Sequence, residues 1–367
     1  MSNQFTEQEW LRYTRHIQLA GFGAAGQLRL KQSHVLIVGL GGLGTPVSMY
    51  LTAAGVGSLT LIDGDHVDLT NLQRQVIYTM DDIGKPKAQI SATRLSSLNP
   101  DISISAFSEH FSTNTKFDNT FDLVVDCTDN FTARYAINDF CLKHETPWIY
   151  ASVHQNAGQC AVFTPGEACF RCLFPKAPDT AADCNSVGVI GVLPGMLGLF
   201  QANEAIHYLT RDTSALSNTL MLFNAQNLDI QKIQLSKDPS CMCSHPGEEL
   251  LLPSSESVTH CEVEASPLEI SKKEFIEYQK NCNAQIVDVR TEEERQAFNI
   301  GGEHFPLDML ERAEYISEKL DKTKTLVFYC QSGTRSLQAA HAMHEQGVKS
   351  VSLSGGILAW LREEYST

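Results

Sequence analysis

The apolar run His34-Val-Leu-Ile-Val38 ends directly in Gly39-Leu-Gly41-Gly42-Leu-Gly44, and this junction constrains the fold more than any other stretch of the chain. A short β-branched run reads as a buried strand, the glycines as a tight turn, and Thr45–Ala54 as the helix that follows. Backbone N–H groups at such a helix N-terminus can cradle a phosphate. Strand, glycine turn and helix begin a βαβ unit, so the expected fold class is α/β, a Rossmann-like, doubly wound, mainly parallel sheet. The following residues keep the same rhythm. Residues 58–62, 102–107, 121–127 and 148–153 read as further strands, with Lys85–Leu98 and Asn130–His144 as crossover helices. Trp10–Tyr13 and Gln27–Lys31 read as helices outside the sheet, and Leu193–Leu209 as a largely buried helix.

The charged residues then decide between kinds of nucleotide chemistry. Asp63 closes the run Leu59-Thr-Leu-Ile about 20 residues after the glycine turn, where a carboxylate can take ribose hydroxyls. To that point an NAD site would serve as an explanation. Asn71-Leu-Gln-Arg74-Gln75 and Gly84-Lys85-Pro-Lys87 change the reading. A hydride-transfer cofactor needs its pyrophosphate only held, whereas a nucleotide cut at the α-phosphate needs fixed cations to stabilise the leaving pyrophosphate. Asp126-Cys-Thr-Asp129-Asn130 closes a strand, at the carboxyl edge where open α/β sheets bind ligands. A carboxylate there can hold Mg²⁺ against phosphate oxygens. Alone, Asp129 would be an ordinary helix N-cap, and Arg74 and Lys87 ordinary surface charges. Taken together, Gly39, Gly41, Gly42, Gly44, Asp63, Asn71, Arg74, Lys87, Asp129 and Asn130 read as a site for ATP.

The net charge of −15 over 367 residues argues against a nucleic-acid groove and against an anionic membrane surface. No apolar run is long enough to span a bilayer, and Met1–Gln8 carries neither a basic n-region nor an apolar core, so a cytoplasmic protein is expected. Eleven cysteines, an odd number in a chain without a secretory leader, suggest chemistry or metal binding rather than a disulfide framework. Cys127, Cys141, Cys160, Cys261 and Cys282 have no motif around them and read as small apolar residues or incidental thiols. Cys169-Phe-Arg-Cys172 is half of a tetrahedral zinc site. Cys241-Met-Cys243-Ser-His245 offers the other half, with Cys243 and His245 both open as the fourth ligand. Residues 175–192 read as a functional loop, and Cys184 lies within it.

Residues 246–267 turn to Pro, Ser, Glu and Thr and read as a linker between a first domain, 1–245, and a second, 268–367. The second is a smaller α/β pattern, with strands at 285–289, 325–329 and 350–353 and helices from Thr291, Arg335 and Gly356. Cys330-Gln-Ser-Gly-Thr-Arg335-Ser336 follows a strand and opens a helix, so loop N–H groups, the helix N-terminus and Arg335 would stabilise a thiolate. Four residues separate Cys330 from Arg335. Tyrosine phosphatases use five and make room for a phosphate; the tighter ring suits one sulfane sulfur.

Arg12-Tyr13 with Arg15-His16, Gly39–Gly44, Asp63-Gly-Asp65, Asn71–Gln75, Lys85-Pro-Lys87 and Asp126–Asn130 together resemble the E1-like adenylyltransferases, which activate sulfur-carrier proteins for molybdopterin and thiamine synthesis. The resemblance implies ATP at the glycine turn, Asp63 on the ribose, Asn71, Arg74 and Lys87 at the phosphates, and Mg²⁺ on Asp129. It also implies a homodimer in which Arg15 reaches the other subunit's site, Cys184 as a cysteine able to bond to the carrier, and a structural zinc. The family's second CxxC stands here as Cys241-Met-Cys243, which leaves the metal itself open. With Asp288-Val-Arg290 upstream and Leu353–Trp360 downstream, residues 268–367 resemble a rhodanese sulfurtransferase domain with Cys330 as persulfide carrier. The two resemblances imply adenylation of the C-terminal glycine of a small ubiquitin-fold carrier. Sulfur from Cys330, loaded by a donor such as a cysteine desulfurase, then gives a thiocarboxylate. The carrier implied is of the molybdopterin-synthase small-subunit type, the alternatives being a thiamine-pathway carrier or one for tRNA or metabolite thiolation. The distant alternative is an NAD-dependent oxidoreductase with a non-catalytic rhodanese-like module.

Overall fold

The computed structural model describes residues 5–177, 188–244, 268–310 and 320–362, in two units, residues 1–250 and 251–367. Cys184, His245, Cys261 and the 246–267 stretch lie outside the described residues.

In the first unit, β1 (His34–Val38), β2 (Ser58–Ile62), β3 (Ser103–Phe107), β4 (Leu123–Asp126), β5 (Trp148–His154), β6 (Ala157–Phe163), β7 (Thr219–Asn224) and β8 (Asp229–Gln234) form one sheet. Its order is β3-β2-β1-β4-β5-β6-β7-β8. The first five strands are parallel, as the βαβ rhythm predicts. From β5 onward the pairing is antiparallel, and β6, β7 and β8 are strands beyond those the sequence pattern predicts. β1 carries apolar residues on both faces because helices cover both. Val35 and Ile37 join the core under the helices Gly44–Ala54 and Val192–Arg211, while Leu36 and Val38 join an aromatic core with Phe121, Trp148 and Phe170. Each such side chain, fully withdrawn from water, contributes on the order of 1.5–3 kcal/mol.

Strand order reverses at β1, with β2 on one side and β4 on the other. The crevice at the carboxyl ends of β1 and β4 is therefore the switch point at which such sheets bind ligands. The glycine turn leaves β1 there, and the Asp126–Asn130 segment leaves β4. Among the described residues no helix is long and apolar enough to cross a membrane.

The second unit is a parallel sheet in the order β11-β10-β12-β13-β9, built from β9 (Glu269–Ile270), β10 (Ala284–Asp288), β11 (Glu303–His304), β12 (Thr325–Tyr329) and β13 (Ser350–Leu353). Helix starts are written into the sequence. Ser271 and Thr291 each form a capping box with the glutamate three residues on, Glu274 and Glu294. The central strand β12 delivers Cys330 to the carboxyl edge, directly before the helix Thr334–Glu345.

Candidate functional site

At the end of β1 the chain needs glycine for two separate reasons. Gly39 has φ +91°, and a Cβ on it would lie 2.7 Å from the carbonyl oxygen of Cys127, so β1 and β4 close onto each other there. A Cβ on Gly44 would lie 2.0 Å from the carbonyl oxygen of Gly39. Gly42 faces Pro194, and Gly41 faces the side chain of Gln75. The phenol of Tyr78 donates to the Leu40 carbonyl at 2.9 Å and braces the turn from below.

Asp63 locks this turn. Its Oδ2 accepts the Leu40 N–H at 2.6 Å and its Oδ1 accepts the Asp65 N–H at 2.8 Å. Burial pushes the Asp63 carboxyl upward, opposed by the Lys87 charge and by those two N–H donors. Lys87, only 4 % exposed, places its Nζ 2.9 Å from Oδ2 of the exposed Asp65. The carboxylate thus holds a buried ammonium beside the glycine turn. Arg74 donates to the Thr70 carbonyl at 2.9 Å, and its Cγ stands 3.5 Å from where a Gly42 Cβ would be. The structure therefore brings the glycine turn, Asp63, Arg74 and Lys87 to one mouth. Asn71 stands at the end of a 3₁₀ turn, where its side chain accepts the Asp68 N–H at 3.3 Å.

On the β4 side, Asp129 is exposed, and its side chain makes no hydrogen bond or ion pair among the described residues. The helix N-cap is Asn130, whose Oδ1 accepts the Ala133 N–H at 2.8 Å. The cap engages Oδ1 of Asn130, leaves its side-chain N–H₂ without a partner among the described residues, and frees Asp129 from the capping role. Two residues missed from the sequence hold this loop. Asp126, fully buried, accepts the N–H and hydroxyl of Thr128 at 2.9 and 2.6 Å. Arg134 donates to the Thr128 carbonyl at 3.0 Å and stands 3.5 Å from Asp126 through its Nε. Burial pushes Asp126 up to about 6, although Arg134 and the Thr128 donors pull the other way. Arg15 is exposed on the short helix Thr14–Ile17, and its side chain makes no hydrogen bond or ion pair among the described residues.

Cys169, Cys172, Cys241 and Cys243 gather with all four sulfurs within 4.8 Å of one another. The sulfur–sulfur distances of 3.9, 3.5 and 3.4 Å are far longer than a disulfide bond. A regular tetrahedron with metal–sulfur bonds of about 2.3 Å has edges of about 3.8 Å. Cys243 is thus the fourth member of the cluster among the described residues. Burial pushes Cys169 up and Cys243 up to about 11. Burial also acts upward on Cys172, but N–H donors led by that of Asp238, 3.4 Å from its sulfur, bring it down. Four thiolates this close repel one another, and a divalent cation at their centre converts that repulsion into attraction. The donor set fits zinc.

In the second unit Cys330 is wholly buried, and its Sγ accepts the Gly333 N–H at 3.1 Å and the Ser336 hydroxyl at 3.4 Å. Ser352 donates in turn to the Ser336 oxygen at 2.8 Å. The ring is tight enough to exclude side chains: a Cβ on Gly356 would lie 2.4 Å from the Cys330 carbonyl oxygen. Arg335 does not reach into this ring unaccompanied. Its two terminal nitrogens donate to Glu294 at 2.8 and 2.6 Å. The sequence signal for Glu294 was its capping box, which points to a structural role and conceals the pairing.

Residues 13–243 match the ThiF family and residues 271–363 the Rhodanese-like domain. The chain is 31% identical over 366 residues to a protein of Porphyra purpurea named probable molybdopterin-synthase adenylyltransferase, covering 97% of this chain and 94% of that one. It is 34% identical over 381 residues to the adenylyltransferase and sulfurtransferase MOCS3-1 of Zea mays, covering 96% and 81%. Among solved structures, E. coli MccB with ATP is similar at a TM-score of 0.54 and 26% identity, over 64% of this chain and 74% of that one.

Proposed function

The chain belongs to the ThiF family and carries a C-terminal rhodanese domain, and from that premise we propose that it adenylates a small ubiquitin-fold sulfur carrier and then converts it to a thiocarboxylate. The observation that carries the first half is the buried Lys87 held by Asp65 at the glycine turn. A fixed cation at that mouth stabilises charge on a departing pyrophosphate, which hydride transfer does not generate. Arg74 adds a second charge on the same side. The carrier's C-terminal carboxylate attacks the α-phosphorus of ATP, forming the acyl–phosphate bond and releasing pyrophosphate. Mg²⁺ held by Asp129 would neutralise phosphate charge, and zinc in the four-cysteine cluster would tie residues 169–173 to 238–243.

The second half rests on the Cys330 ring. The outer sulfur of a Cys330 persulfide attacks the acyl carbon and AMP leaves, giving an acyl disulfide. A second thiol then takes the Cys330 sulfur into a disulfide and frees the carrier thiocarboxylate; Cys184 is our candidate for that thiol. The persulfide is supplied by a donor such as a cysteine desulfurase. Arg15, exposed and unpaired among the described residues, fits a role in the site of a second copy, and Trp10, Leu11 and Leu19 in the same segment are exposed apolar side chains that such a homodimer would cover. We place the enzyme in the cytoplasm and its client among carriers of the molybdopterin-synthase small-subunit type.

Carrier-dependent exchange of labelled pyrophosphate into ATP tests this reading, with the molybdopterin-pathway and thiamine-pathway carriers side by side. The expected result is exchange with the molybdopterin-type carrier, lowered at least ~100-fold in Asp129→Ala. Exchange undiminished in Asp129→Ala would remove that residue from the mechanism, and no exchange with any carrier would refute adenylation.

A further inference from the structure

The rim of the Cys330 ring is electrically self-compensated, and this bears on what can load it. Arg335 is the only charged residue from Cys330 to Ser336. Its guanidinium is met end-on by Glu294, with Nη1 at 2.8 Å from Oε2 and Nη2 at 2.6 Å from Oε1. Both side chains are about a third exposed, whereas Cys330 is fully buried, so an incoming donor meets this pair before it meets the sulfur. The other two guanidiniums of the network are also engaged. Arg290 is bidentate on Asp288 at 3.0 and 2.9 Å and donates to the carbonyls of Glu294 and Phe298. Arg295 donates to the Gly302 carbonyl and stands 3.5 Å from Asp288. The groups that touch the sulfur, Gly333 N–H and Ser336 O–H, are neutral.

We infer that Glu294 is a donor-specificity residue: by occupying Arg335 it denies the ring a cation for small dianionic donors such as thiosulfate, and so selects persulfides. This inference rests on the reading of Cys330 as the sulfur carrier. Loading from a persulfide breaks the donor's S–S bond and forms a new one: R–S–SH and the Cys330 thiolate give R–S⁻ and Cys330–S–SH. Loading from thiosulfate gives Cys330–S–S⁻ and sulfite, two anions leaving where two arrived, and it gains from any free cation at the rim. Cyanide unloads either product as thiocyanate and restores the thiolate.

The test uses the full chain and thiocyanate formation, with thiosulfate, glutathione persulfide and a persulfide-charged cysteine desulfurase as donors. Glu294→Gln is the informative variant. A glutamine still accepts the Thr291 N–H that Glu294 Oε2 takes at 2.9 Å, so the helix cap survives, but it no longer neutralises Arg335. In wild type, kcat/KM is expected to favour glutathione persulfide over thiosulfate. In Glu294→Gln, kcat/KM for thiosulfate should rise at least ~10-fold, about 1.4 kcal/mol, with glutathione persulfide changed by less than about 2-fold. The gain should vanish in Glu294→Gln combined with Arg335→Gln. A larger kcat/KM for the charged desulfurase than for glutathione persulfide would assign the donor to a protein; the reverse would assign it to a small molecule, and both support the inference. A thiosulfate rate unchanged in Glu294→Gln, or a gain that survives loss of Arg335, overturns it while leaving Cys330 as carrier. Transfer from no donor in wild type would overturn both.

Discussion

Replacing Cys243 by serine should abolish tight zinc binding, and the size of the effect follows from the geometry of the cluster. Four sulfurs lie within 4.8 Å of one another, and the edges of 3.4–3.9 Å match the edge of about 3.8 Å of a zinc–thiolate tetrahedron. Structural zinc in four-ligand sites binds with roughly 10–16 kcal/mol of apparent free energy, or about 2.5–4 kcal/mol per ligand if shared evenly. A serine hydroxyl is a poor zinc ligand, so Cys243→Ser should weaken binding by several hundred-fold. The protein should purify with one zinc per chain as wild type and with a labile or absent metal as the variant. Competition against a chromophoric chelator measures the affinity, and cobalt substitution should show sulfur-to-metal charge transfer in the wild type. The cluster joins Cys169 to Cys241 across 72 residues, so the variant's first unit should also unfold at a lower temperature. Wild-type affinity retained in Cys243→Ser would refute the four-cysteine assignment, with His245 the residue to test next. A wild type that stays metal-free in excess zinc would refute the site altogether.

The buried Asp126 predicts a pH signature of stability. Its carboxyl rises from 3.8 to about 6 on folding, so the native state takes up a proton between those values. Stability from this group is therefore present at low pH and falls as pH rises through that window, by up to about 3 kcal/mol, and then stays level. Chemical denaturation at pH 3 and pH 7 should show the balance moving towards Asp126→Asn by about that amount, and a pH-independent difference would contradict it. Gly44→Ala sets a methyl 2.0 Å from the Gly39 carbonyl oxygen, where contact normally begins at 3.4 Å. The turn must open, lowering stability by about 3 kcal/mol and the melting midpoint by roughly 6–12 °C, and calorimetry should show ATP binding lost. Wild-type ATP affinity in Gly44→Ala would show that the turn does not hold the nucleotide.

What the sequence disclosed followed from periodicity and from glycine. β1, β2 and β4 are short apolar runs buried on both faces, and Gly39 and Gly44 stand where backbone meets backbone, so strand, turn and helix could be placed without any tertiary knowledge. β8 could not. All six residues from Asp229 to Gln234 are exposed, so no hydrophobic alternation marks them, and the strand exists because β7 pairs with it in register. The helix start at Thr291 was legible, whereas that at Ser271 was not read; and a capping glutamate has a second oxygen, and nothing local tells that the second oxygen of Glu294 meets Arg335, 41 residues away. Arg134 escaped for the same reason. Its partners, Asp126 and Thr128, lie within one loop and one helical turn, but only burial makes the pairing matter. The spacing of Cys169, Cys172 and Cys241 marks a cysteine cluster in the sequence, whereas the place of Cys243 beside them is seen only in the fold.

The two units solve one electrostatic problem in opposite ways, and the difference matches their proposed chemistry. Each places a glycine-containing turn at the carboxyl end of a parallel strand, where the backbone makes close approaches that a side chain would block. At the first turn Asp63 spends both oxygens on backbone N–H groups and Asp65 holds Lys87, while Arg74 meets the Thr70 carbonyl and has no acidic partner among the described residues, so its charge is left in reach. A multiply charged phosphate chain needs that surplus, because its own charge grows as pyrophosphate departs. At the second turn each arginine is matched to an acid, Arg335 to Glu294 and Arg290 to Asp288. A sulfane sulfur carries at most one charge and must leave again for the carrier. Neutral donors from Gly333 and Ser336 hold it without trapping it, whereas a free guanidinium would stabilise the loaded persulfide and slow its release. Compensation at the rim is therefore what a transfer station requires, just as surplus charge is what a cleavage site requires.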